Sequence, residues 1–376
     1  MSAFALIASG TAAAIGLSGD ETLTLTGFYN LTGAKVLGSP APIPSPSGPF
    51  RNRECPCFVA AFEYASIYEK GRGFTFDQES LLGIQIRKEF SSTLSVTSQL
   101  VSRTRNPNEG SRPTVDWLYV TWRPSTDSGW TVQLGKMRIP LFYYSDQLYV
   151  SYAYPWVRPP EDVYGLPIYA YNGINANYRT QLGSSDWAST VTVWSGNYTQ
   201  ENDAYRSQVY LGKPTNESWE RMLGGSVSIA NDVLDIRAII MRMNDSIWQV
   251  DPDGLRTTLV DSRASRVVGV SANMDYKNWL VKSEVQRTDG GIGRYNYGLL
   301  GIGYQLGAWT PMYTFSRYRN EEQLDIGSTH TASLRWDFHK DITLKFQYEL
   351  ANSRSHYNLP ISGKSRLLSV SLGGIF

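Results

Sequence analysis

Ligating and catalytic side chains are scarce in this chain of 376 residues, which has 2 cysteines and 3 histidines. Cys55 and Cys57 flank a single proline, and the second ligand pair that a zinc site needs is missing. No C-x-x-C-H stretch offers haem attachment. Past the extreme N-terminus no apolar run approaches the roughly 20 residues of a membrane-crossing helix, and mean hydropathy is −0.30. A helical membrane protein is excluded. An excess of one charge is lacking too: Lys+Arg number 35 against Asp+Glu 34. No basic field for nucleic acid follows from that balance.

What the chain does have is aromatic residues, 13% of the total with 24 Tyr and 11 Trp, and a strict two-residue alternation. In SRLLSVSLGGIF at the C-terminus, Leu368, Val370, Leu372 and Phe376 share one face. Similar segments recur, near 21–31, 80–90, 92–103, 113–123, 129–139, 170–181, 186–196, 219–230, 232–243, 264–276, 278–288, 295–306, 308–318, 328–338, 340–350 and 365–376. Short connections at Ser91, Pro124–Ser128, Gly183–Ser185, Asn231, Lys277, Gly307 and His339 alternate with longer ones. An apolar face that alternates with a polar one suits a sheet between lipid and water, and only a closed sheet leaves no edge unpaired in hydrocarbon. The expected fold is therefore all-β, a transmembrane antiparallel β-barrel of about sixteen strands over residues 20–376. Residues 1–19, with an apolar stretch and small residues at Thr11–Ala14, are expected to be a signal-peptide remnant or leader.

Cost decides which face looks inward, because a Lys or Arg facing lipid at mid-membrane costs about 2–4 kcal/mol. In KDITLKFQYELAN, Ile342, Leu344, Phe346, Tyr348 and Leu350 then face lipid, while Thr343, Lys345, Gln347 and Glu349 face the lumen. The same rule places Arg87, Arg103, Asp235, Arg237, Lys282, Glu284, Gln286, Arg335 and Asp337 inside. Lys136 and Arg138 share a face with Trp130, Val132 and Leu134, which puts them at the headgroup level, where the cost falls to about 0–1 kcal/mol.

One connection differs from the rest. The stretch of about 140–169 is too long for a hairpin turn, and its seven rings (Phe142, Tyr143, Tyr144, Tyr149, Tyr152, Tyr154 and Trp156) need a surface to bury against. Pro140, Pro155, Pro159 and Pro160 stiffen it. The available surface is the inner wall, so this third outer loop is expected to fold inward and narrow the lumen. Asp146, Arg158, Glu161 and Asp162 are its charged candidates, with Tyr152, Tyr154 and Trp156 beside them.

The run LGKMRIPLFYYSDQLYVSYAYPWVRPPEDVYGLP resembles a segment of the gammaproteobacterial outer-membrane porins. ESLLGIQIRKEFSSTLSVTSQLVSR resembles the second hairpin of that family, and VDWLYVTWRP resembles the stretch that follows it. The likeness is specific over about 79–171 and architectural elsewhere. It implies a sixteen-stranded, trimeric barrel in the outer membrane of a Gram-negative bacterium that passes small hydrophilic solutes, constricted by its third loop. Arg138, Ser145, Asp146, Tyr154, Trp156, Arg158 and Glu161 occupy matching positions. The chain departs from the pattern in a Pro-rich first loop carrying Cys55 and Cys57, and in Gly374 near its end.

Passive diffusion is thus the leading expectation, with outer-membrane lipid, lipopolysaccharide and a homotrimer as partners and no cofactor or metal. A substrate-specific channel with an aromatic track is the alternative, and a structural or receptor barrel a lesser one. An enzyme is not expected: there is no G-x-S-x-G elbow, and His330, His339 and His356 are poorly placed for a triad.

Overall fold

The computed structural model describes residues 15–16, 22–38, 57–61, 66–104, 113–166, 168–203, 206–207, 213–251, 253–290, 293–321, 325–354 and 363–376. The expected leader lies outside them, save the backbone of Ile15–Gly16, which pairs with Thr24 and Leu25. Cys55 lies outside them as well.

Sixteen long strands form the barrel. They are Leu23–Gly38 (β1), Leu81–Glu89 (β2), Leu94–Arg103 (β3), Thr114–Trp122 (β4), Trp130–Arg138 (β5), Ala170–Gln181 (β6), Ala188–Gln200 (β7) and Thr215–Ala230 (β8). Then follow Leu234–Val250 (β9), Arg256–Tyr276 (β10), Trp279–Gly290 (β11), Gly293–Tyr304 (β12), Trp309–Asn320 (β13), Asp325–His339 (β14), Ile342–Arg354 (β15) and Gly363–Ile375 (β16). Each pairs antiparallel with the next, and β16 returns to β1 with Leu372 opposite Leu31, so the sheet closes.

The alternation separates the faces as expected. On β15, Lys345 and Glu349 are 0% and 3% exposed, whereas Phe346 and Leu350 are 38% and 41% exposed. Outside, Leu82, Ile84, Ile240, Val270, Val285, Leu300, Ile302 and many others form a continuous exposed apolar band. Each such side chain gains about 1.5–3 kcal/mol on leaving water, so a band of this extent requires lipid around it. At its lower edge Phe90, Trp122, Trp130, Tyr276, Trp279, Trp309, Phe338 and Phe376 are exposed beside the short turns, forming an interfacial aromatic girdle. Within it Trp309 stacks on Trp336 with centroids 4.9 Å apart. The turn between β10 and β11 is two residues long, and its Lys277 and Asn278 both have positive φ, the twist-matched hairpin geometry.

At the opposite rim the expected long loops are only partly found. The connections 39–80, 139–169 and 201–214 are long, but 251–255, 291–292 and 321–324 are short. Strands β8, β9 and β10 run beyond the band instead. On β10, residues 256–264 are exposed on both faces apart from Val260, so the alternation that reveals a strand disappears there and the sequence resembles a loop. Within the first connection a hairpin, Cys57–Ala61 with Ser66–Glu69, packs Phe58, Ala60 and Tyr68 on the inner-face residues Ala34, Val36 and Leu367.

Candidate functional site

The segment between β5 and β6 leaves the wall where the Ile139 amide donates to the Tyr169 carbonyl, at 2.8 Å. From there it lies along the polar face of the opposite strands. The Tyr143 amide donates to Glu284 at 2.7 Å and its hydroxyl to Asp235 at 3.1 Å. Arg237 donates to the carbonyls of Phe142 and Pro140, at 3.1 Å for the first. Further along, the Trp156 indole donates to Thr314 at 2.8 Å and the Val157 amide to Gln347 at 2.7 Å. Ser316 donates to Asp162 at 2.6 Å, and burial pushes that carboxyl above the usual carboxylate range.

Two cations hold the middle of the segment. The Lys345 ammonium donates to the carbonyls of Ser151, Tyr154 and Trp156, at 2.8 Å for the last two. Arg158 bridges Glu79, from the first connection, and Glu349 on β15, and also donates to Ser369 at 3.0 Å. Removing one member of such a buried group leaves an uncompensated charge and costs about 3–5 kcal/mol. Near the short-turn rim, Arg335 donates to the Tyr152 carbonyl at 2.7 Å and the Tyr152 hydroxyl to the Lys340 carbonyl at 2.6 Å. Arg335 also pairs with Asp337. The segment therefore reaches almost the full height of the wall.

Its rings are anchored. Phe142, Tyr144, Tyr149, Tyr154 and Trp156 are buried, and Tyr144 meets Trp156 edge-on at 5.7 Å. Arg138 and Arg103 lie 3.8 and 4.2 Å from the centroid of Tyr149. Arg138 corrects the expectation of a headgroup position: it is 5% exposed and makes a bidentate pair with Asp116 at 3.1 and 3.2 Å. A register shift on β4, where Gln99 faces Trp117 but Leu100 faces Val115, makes Asp116 an extra residue, which alternation alone does not reveal. Lys136 stays at the wall, donating to the Val115 carbonyl at 2.7 Å.

Away from the segment the inner wall is of two kinds. On β2 to β7, Gln85, Arg87, Tyr119, Gln133, Asn177 and Thr192 are only half-buried. Arg87 pairs with Glu89 at 2.9 Å and keeps a side-chain exposure of 33%. On β6 to β9 the inner face turns apolar, with Tyr171, Trp194, Trp219, Met222, Met241 and Met243 buried against the rings of the segment. The charge rule located Asp235 and Arg237 but missed this patch, since the strand simply continues inward as Ile239, Met241 and Met243. Lys282 is half-buried beside them. Asp146 is exposed, Glu161 and Asp162 are half-buried. A small cleft lies between the segment and the first connection, lined by Ala60, Leu148, Tyr149, Arg158 and Glu161 among others.

No protein-family profile and no curated protein matches the chain. Solved structures do. The anion-selective porin from Comamonas acidovorans is 14% identical, with TM-score 0.55 over 94% of this chain and 99% of that one. Salmonella typhi OmpF, in complex with daunomycin, is 10% identical, with TM-score 0.56 over 94% and 97%. The outer membrane channel DcaP of Acinetobacter baumannii is 8% identical, with TM-score 0.54 over 94% and 97%. The chain therefore has the closed sixteen-stranded fold of outer-membrane porins. At these identities the likeness is one of fold.

Proposed function

We propose that this chain is a porin of the outer membrane, a passive path for small hydrophilic solutes and ions. The observation that carries the reading is the closed barrel with an exposed apolar band outside and a half-buried polar arc within, on β2 to β7. The segment 139–169 acts as its constriction, leaving the aqueous path between itself and that arc. Solutes there meet Arg87 and Gln133 on one side and Asp146 on the other. Two unit charges 4 Å apart in water interact by only about 1 kcal/mol, so sieving and the summed field set preference, with no absolute selection. The working unit is a homotrimer, a reading supported by the like-folded Vibrio cholerae OmpT, whose structure is described as a trimer form.

The aromatic rings favour this reading over a substrate-specific track. Tyr149 has two guanidinium groups against it, Tyr154 has the Lys345 ammonium 4.7 Å from its centroid, and Trp156 is buried under Tyr144. Rings so engaged are pins rather than stacking platforms. No enzymatic chemistry is proposed: His330 sits on the outer face against the Tyr313 hydroxyl at 2.6 Å, His339 lies at the short-turn rim, and His356 is outside the described residues.

Planar-bilayer recording of the refolded protein in a salt gradient tests the proposal. Stepwise, ohmic conductance that no solute blocks at micromolar concentration is the expected result. The absence of steps from a heat-modifiable, folded barrel would overturn it, and micromolar block by one solute would return the substrate-specific reading.

A further inference from the structure

The rim away from the short turns is stepped. Strand β11 comes to its end with Asp289 opposite Arg266, whereas β10 continues past that level to Arg256. Over 256–264 it pairs with β9 alone, from Asn244 opposite Ala264 to Val250 opposite Arg256. Its other edge is open: among the described residues no backbone group outside β9 hydrogen-bonds to this stretch. Alternate residues of a strand turn their N–H and C=O groups away from the paired neighbour, so a row of donors and acceptors faces sideways into water.

That edge is held firm. Behind it β8 pairs with β9 as far as Thr215 opposite Gln249, so the projection has three strands. Arg256 lies 4.2 Å from the centroid of the Trp248 ring, Lys213 pairs with Asp251 at 3.1 Å, and Ile247 is buried. Ser262, where the register shifts and φ is 42°, is fastened to β9 twice: its amide donates to Ser246 at 3.0 Å and its hydroxyl accepts from Asn244 at 3.1 Å. A template fixed in advance spares an incoming chain much of the ordering cost of binding.

Charge indicates what that chain is. The stretch has no proline, and its Thr257, Thr258 and Val260 suit a strand. Arg256, Arg263 and Arg266 are exposed along it against one acid, Asp261, and among the described residues none of the three arginines forms a salt bridge. Asp289, at the end of β11, is committed to Arg294 at 3.2 Å. Arginines on an edge strand guard it against its own kind, because a second copy would set cation against cation. An acidic strand meets no such penalty. We propose that 256–264 is a docking edge for an extended acidic segment of a partner protein outside the cell, which adds as a further strand beyond the end of β11. Main-chain hydrogen bonds supply the affinity and the arginines supply the choice. The edge stands beyond the rim of β11, so the proposal does not depend on conduction.

The test uses the refolded full chain and a fluorescent synthetic peptide of alternating valine and glutamate. One control peptide has lysine in place of glutamate; another is N-methylated throughout, which keeps the side chains and removes the main-chain donors. Anisotropy should show saturable binding of the glutamate peptide, with each control weaker by about tenfold or more, the scale of one or two hydrogen bonds. Hydrogen exchange in the complex should slow over 256–264 and stay unchanged on β2 to β7. The double variant Arg256→Gln, Arg263→Gln should bind the glutamate and lysine peptides alike. The peptide comparison is made on the unaltered chain, so it decides the matter even where that variant fails to fold. Equal binding of either control peptide, no binding of the glutamate peptide, or unchanged exchange over 256–264 would each overturn the proposal. So would slower exchange there on raising the barrel concentration alone, which would give the edge to a second copy.

Discussion

Two arcs of one inner wall differ sharply although both are built from polar residues at alternate strand positions. On β13 to β16, Thr314, Lys345, Gln347, Glu349 and Ser369 are all but inaccessible because the segment 139–169 lies over them and takes up their hydrogen-bonding groups. On β2 to β7, Gln85, Arg87, Gln133 and Asn177 retain access to solvent. An inward charge can thus serve either as a fastening or as part of the water-facing wall. Arg335 and Lys345 belong to the first kind, and Arg87 to the second.

The largest effect is expected from removing the covering. Shortening the loop by deleting Leu148–Pro160 should raise single-channel conductance severalfold, because the first arc would then face the bore as the second does. Unchanged current would place the segment outside the path. Next in size is Arg158→Met, which leaves Glu79 and Glu349 buried without their cation at a cost of about 3–5 kcal/mol; protease cleavage within 139–169 and current noise should both increase. Lys345→Met, losing three carbonyl contacts, should act in the same direction.

Charge reversal separates the arcs more finely. Arg87→Glu should move the reversal potential toward cations by a few-fold change in permeability ratio, about 1 kcal/mol being the scale of one charge in water. Lys345→Gln should leave it in place wherever the loop stays seated. Equal shifts from both would erase the distinction.

The smallest expected effect lies outside the wall, in the connection 201–214. Burial raises the Asp203 carboxyl to about 7 even though Arg206, whose amide donates to it, pulls the other way. A carboxyl raised on folding is favoured when protonated, so its penalty is small at pH 4 and complete above pH 8. Asp203→Asn should therefore slow hydrogen exchange around 203–207 at pH 8 and leave it unaltered at pH 4. An equal effect at both pH values would contradict the assignment.

Much of this was legible in the residues. Alternation plus the cost of burying charge in lipid located sixteen strands and the faces of Asp235, Arg237, Glu284, Lys345 and Glu349, since a two-residue period admits only two answers. Which inward residues lie beneath the segment depends on contacts between Arg158 and Glu349, 191 residues apart, and no local pattern encodes them. Arg138 was misplaced for a related reason: the irregularity that brings Asp116 to it sits on a neighbouring strand. The apolar inner patch around Met222 and Met241 was missed because lipid-facing and loop-covered strands use the same side chains.

Thiol accessibility measured by current tests the division of the wall most directly. In a background of Cys55→Ser and Cys57→Ser, Gln133→Cys and Gln347→Cys are each treated with a charged methanethiosulfonate reagent during bilayer recording. Current should fall stepwise for Gln133→Cys and hold steady for Gln347→Cys. Block at Gln347→Cys with none at Gln133→Cys would mean that water runs along the other side.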